Sequence, residues 1–67
     1  LFESFKAKWL SLDEKTIKAE TGIQPQYAKK ISEIIQSGEI NSMIALANYD
    51  GIGEKTLEKA FGYILNA

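Results

Sequence analysis

A chain of 67 residues carrying a net charge of −1, with no cysteine and no histidine, makes one small domain. These numbers exclude a disulfide or thiolate-metal framework, the commonest general base, and a global basic field that would grip nucleic acid indiscriminately. The apolar fraction of 45 % is that of a folded globule rather than a disordered segment.

No apolar run approaches the ~18 residues of a membrane span, and no signal-peptide pattern is present. The expected setting is therefore cytoplasmic, with no membrane partner. The chain begins at Leu1 rather than Met and reads as one module of a larger protein.

The first element, LFESFKAKWL, places Phe2, Phe5 and Trp9 at helical spacing. These three aromatics are expected in the core rather than as a base-stacking platform. Ser11 followed by Glu14 fits a capping box, which starts a second helix reaching about Glu20 with Ile17 facing inward. Thr21-Gly22 closes it, because glycine tolerates the left-handed conformation at a helix end. Pro25 suits the first turn of a third helix, where a missing N–H costs nothing. Tyr27, Ala28, Ile31, Ile34 and Ile35 form its apolar stripe, and Ser37-Gly38 stops it.

Asn41 or Ser42 caps a short fourth helix carrying Met43, Ile44, Leu46 and Ala47. Asp50-Gly51 breaks that helix. The last helix has Leu57, Ala60, Phe61, Ile64 and Leu65 on one stripe. No segment alternates with period two, so no strand is predicted. The fold class expected is all-α: a compact bundle of four to five short helices, filling one domain over 1–67.

A shift of 29 residues lays Gly22 on Gly51, Ile23 on Ile52, Lys30 on Lys59 and Ile35 on Ile64. Apolar positions coincide as well: Ile17 with Leu46, Ala28 with Leu57, Ile31 with Ala60, Ile34 with Tyr63. Each half thus reads as helix, tight Gly-Ile hairpin, helix, and neither half can bury its apolar face alone.

The stretches TGIQPQYAKKI and DGIGEKTLEKA resemble the two motifs of tandem helix-hairpin-helix domains, of the kind found in the competence DNA receptor. GIGEKTLEKAFGYIL, LFESFKAKW and ETGIQP are also similar to parts of the helicase-and-RNase-D C-terminal (HRDC) domain. That domain usually has an aromatic-rich segment after the turn matched by ETGIQP, and this chain lacks it. The two families share one architecture, two helical hairpins packed at a steep angle as in sterile-alpha-motif domains. The division implied is an extra helix at 1–10, a first unit at 12–36 and a second at 41–65.

What the resemblance implies is a non-sequence-specific, structure-selective DNA-binding module. Its partners would be duplex, single-stranded or branched DNA and a parent helicase, nuclease or recombination chain, with the isolated module monomeric. Two hairpins related by a pseudo-twofold axis would then touch both strands across a minor groove. The chemistry is elementary. Glycines admit close backbone approach, and the first amides of the following helix lack intrahelical partners and lie at the positive end of its dipole.

In the second hairpin the candidate phosphate contacts are Gly51, Ile52, Gly53, Glu54, Lys55 and Thr56. Lys55 supplies the cation, Thr56 a hydroxyl, and Ile52 an inward anchor. In the first hairpin they are Gly22, Gln24, Lys29 and Lys30, with Pro25 removing one donor; this hairpin is expected to be the weaker contact or purely structural. Asp50 and Glu54 oppose phosphate, and arginine is absent, so bidentate phosphate contacts are not available.

Tyr49 is expected to pack under the turn rather than stack on a base. Asp13, Glu14, Glu33 and Glu58 read as caps and solvated faces. No pair of them forms an acid/base or metal site, so neither enzymatic activity nor a cofactor is expected. The alternative reading is a helical protein-interaction domain, favoured by the near-neutral charge and the acidic hairpin flanks.

Overall fold

Glycine and capping signals divide the apolar stripes into five helices in a computed structural model that describes residues 1–65. They are α1 (Phe2–Leu10), α2 (Glu14–Thr21), α3 (Pro25–Ser37), α4 (Met43–Ala47) and α5 (Glu54–Leu65). No strand occurs among the described residues. The last two positions of the expected 1–67 domain lie outside them.

Helix α1 ends at Ser11, whose hydroxyl donates to the Lys8 carbonyl at 2.7 Å. That bond corrects the expected capping box. Ser11 closes α1, and the N-cap of α2 is Asp13, whose carboxylate accepts from the Thr16 amide at 2.7 Å. Glu14 is the first residue of α2 and not the third. Ser42 caps α4 in the same way, accepting from the Ala45 amide at 3.1 Å, so Ser42 rather than Asn41 starts that helix.

The two halves keep their 29-residue offset in three dimensions. Asp13 and Ser42 are caps one offset apart, Glu14 and Met43 begin α2 and α4, and Pro25 and Glu54 begin α3 and α5. Gly22 and Gly51 both have positive φ, 77° and 103°. Ile23 and Ile52 are both buried behind them. Of the apolar pairs, only Ile34 with Tyr63 is uneven, the tyrosine being half-buried.

The core gathers one stripe from every helix. Phe5, Trp9, Ile31, Leu46 and Ala60 are completely enclosed, with Ile17, Ala28, Ile35, Leu57 and Ile64 around them. Helix α1 packs on α3 and α5, and α2 packs on the same two. Phe5 stacks on Trp9 and meets the edge of Phe61 at 5.5 Å between ring centroids, an arrangement favoured by the ring quadrupole. The buried indole N–H of Trp9 donates to Ser32 Oγ at 2.9 Å, and the Ser32 hydroxyl donates in turn to the Ala28 carbonyl. The three N-terminal aromatics are core residues, as their spacing implies.

Two stripes reach less far than expected. Tyr27 is 39 % exposed and Leu65 46 %, because each lies at the edge of its helical face where the neighbouring element falls away. In α4 only Leu46 is buried, Met43 packs at the margin, and Ile44 faces outward.

Candidate nucleic-acid interface

The two hairpins use their backbone amides differently. In the first, the Gly22 amide donates to the Lys18 carbonyl at 2.9 Å, closing α2. The Ile23 amide donates to Thr21 Oγ1 at 3.1 Å. Gln24, the N-cap of α3, makes no side-chain cap, while its carbonyl accepts from the Tyr27 and Ala28 amides. Pro25 brings no donor. Gly22 therefore has its amide committed within the protein.

The second hairpin is built from residues whose donors stay open. The loop after α4 is held by the Asn48 amide on the Ile44 carbonyl and the Tyr49 amide on the Leu46 carbonyl, both at 3.1 Å. Beyond them, among the described residues, the amides of Gly51, Glu54, Lys55 and Thr56 make no hydrogen bond within the protein, while the Gly53 amide closes the turn over residues 50–52. Gly51 and Gly53 have φ of 103° and 99°, a region that a Cβ would strain. The Gly53 carbonyl accepts the Leu57 amide at 3.2 Å and so sets the first turn of α5. Ile52, 3 % exposed, anchors the hairpin to the core; its side chain is unavailable to any ligand.

Lys30 is the residue whose position sequence reasoning missed. A Cβ built on Gly51 would lie 3.0 Å from Lys30 Nζ. The α3 lysine assigned to the first hairpin thus reaches the second. Lys30 and Lys55 now bracket one set of open amides, with Lys55 exposed on the first turn of α5. The linear signal was slight: Tyr27 and Lys30 sit three apart on α3, so both turn toward the same neighbour. Lys29 and Gln24 are exposed on α3 and at its cap.

Tyr49 is half-buried against the core and donates its phenol to Glu39 Oε2 at 3.1 Å. The hydrogen bond and negative charge of Glu39 push the phenol above its ordinary value.

Beside the hairpin is an open groove of about 780 Å³, lined by residues that include Tyr27, Tyr49, Asp50, Glu54, Glu58 and Phe61. Among the described residues, no group of three or more carboxylate or imidazole donors could hold a metal ion, and no helix is long and apolar enough to cross a membrane. Comparison with family models, curated proteins and solved structures returns no match to this chain.

Proposed function

We propose that this chain is an accessory DNA-binding module that holds backbone phosphate at its second hairpin and reads no sequence. The single observation that supports this most is the pairing of open amides with two lysines from different halves of the fold. Amides at Gly51 and in the first turn of α5 lack protein partners. Lys30 Nζ stands over Gly51, and Lys55 flanks it from α5. A phosphate oxygen placed there gains backbone hydrogen bonds, the positive end of the helix dipole and two point charges. Contacts of this kind position a protein on DNA without sequence information. The resemblance to tandem helix-hairpin-helix and HRDC domains supports a place on a helicase, repair or recombination protein and a preference among duplex, single-stranded and forked DNA.

The test is DNA affinity as a function of salt. Neutralising about two phosphates gives a log–log slope near −2, hence about tenfold weaker binding between roughly 50 and 200 mM salt. Lys30→Glu and Lys55→Glu should each weaken binding to every sequence alike and flatten that slope by about 1. Salt-independent binding, or two variants that bind as the parent chain does, would refute the reading.

A further inference from the structure

Asp50-Gly51 is the single Asp-Gly pair of the chain, and the sequence has no Asn-Gly pair. A dipeptide of this kind marks a turn, and here it opens the second hairpin in the loop between α4 and α5. Asp50 and Gly51 are both exposed. Among the described residues the Gly51 amide makes no hydrogen bond within the protein. Gly51 also carries no Cβ to shield its nitrogen from the side chain before it. The other aspartate is arranged in the opposite way. The Asp13 carboxylate accepts from the Thr16 amide at 2.7 Å, and the residue after it is Glu14, the first of α2.

We infer that Asp50-Gly51 is a site of spontaneous isoaspartate formation. The Gly51 nitrogen attacks Cγ of the protonated Asp50 carboxyl. The N–Cγ bond forms, the Cγ–OH bond breaks, and the amide hydrogen leaves with that hydroxyl as water. An amide nitrogen is a weak nucleophile because its lone pair is delocalised, and closure of a five-membered ring offsets this by proximity. Solvent water then opens the succinimide. Cleavage of the N–Cγ bond restores aspartate. Cleavage between the nitrogen and the Asp50 carbonyl carbon leaves the main chain running through Cβ and Cγ. The product keeps mass and charge and gains one methylene in the main chain. Tyr49 on one side packs against the core, and Ile52 on the other is buried, so the turn between them takes up the extra length. This chemistry goes beyond phosphate binding and does not need it; only a loss of DNA affinity in the isomer rests on that reading.

The experiment ages the folded chain at physiological temperature in neutral to mildly acidic buffer, with Trp9 fluorescence reporting that it stays folded. The free peptide acetyl-Asn-Tyr-Asp-Gly-Ile-Gly-amide and the Asp50→Glu variant are aged beside it. Mapping uses an endoproteinase that cuts before aspartate and not before isoaspartate. Cleavage between Tyr49 and Asp50 should be lost progressively, at a rate of the same order as in the free peptide, while cleavage between Leu12 and Asp13 persists. Asp50→Glu keeps the charge but would have to close a six-membered ring, and should accumulate no isomer. The separated isomer should show displaced amide signals from Gly51 to Thr56, unmoved core signals and weakened DNA binding. Conversion of the peptide without conversion of the folded chain, or equal loss of cleavage at Asp13 and Asp50, would overturn the inference. An isomer that forms, displaces the hairpin signals and binds DNA unchanged would support the isomerisation and count against phosphate binding.

Discussion

Gly51 and Gly53 hold the second hairpin in a backbone conformation that other residues resist. At φ of 103° and 99°, an L side chain is strained by at least about 1–2 kcal/mol. Gly53→Ala should therefore lower the unfolding free energy by that much in a urea titration. Its Cβ would meet nothing closer than Thr56 Oγ1 at 4.0 Å, so the loss would come from the backbone and not from a clash. Asp13 gives a second expectation for a single residue. The hydroxyl and amide of Thr16 hold its carboxyl below the ordinary carboxylate value. A carboxyl with a depressed folded-state value stabilises the fold above its unfolded-state value and loses that contribution as pH falls through the folded one. Asp13→Asn keeps a capping oxygen but does not titrate. The parent chain should melt higher than Asp13→Asn at neutral pH, and the gap should close as pH drops below the carboxylate range. A gap that stays constant with pH would show that the Asp13 charge contributes nothing. Among individual residues the buried anchors were legible in the sequence, since Ile23, Ile52 and Trp9 sit at apolar, regularly spaced positions. The reach of Lys30 to Gly51 was not, because it depends on how α3 lies against the second hairpin.

Among the elements, the helix starts carry the repeat most faithfully. Asp13 and Ser42 cap α2 and α4 through the same i to i+3 bond. Ser42→Ala should cost about 1 kcal/mol, which lowers the melting temperature of a domain this size by about 4–8 °C. Amide exchange at Ala45 should quicken, since its acceptor is gone. Unchanged exchange at Ala45 would mean that the cap contributes nothing to α4. Local pattern offers Ser11 as the cap of α2, and the observed cap is Asp13. Ser11 lost because its hydroxyl bonds back to the Lys8 carbonyl at the end of α1, a choice that local pattern alone does not decide. Tyr27 and Leu65 continue their apolar stripes by spacing, yet both end at the rim of the bundle. Periodicity gives the face of a helix and not the extent of what covers it.

For the whole molecule, the margin is small. The Cα radius of gyration of 10.6 Å matches the roughly 10.9 Å of a close-packed chain of this length. A single core of this size supplies about 3–5 kcal/mol of net stability. Ile31 is fully enclosed in the core, and its truncation to alanine costs about 2–5 kcal/mol. Ile31→Ala should therefore lose most of the unfolding free energy and melt well below the parent chain. The sole tryptophan, Trp9, is completely buried, so the red shift of its fluorescence on unfolding should come at a much lower temperature in that variant; an unshifted, cooperative unfolding curve would contradict the single-core description. The all-α bundle was legible from glycine, capping and stripe signals. The meeting of the two halves at the second hairpin was not, because Tyr27 and Lys30 come to it from the other half of the chain. The most direct measurement compares both hairpins in one amide-resolved titration with forked and duplex DNA at low salt. The expected result is saturable shifts at Gly51, Gly53, Glu54, Lys55 and Thr56, while Gly22 and Ile23, whose amides are already bonded, stay still. Shifts confined to the first hairpin, or no shift at either, would contradict phosphate binding at the second.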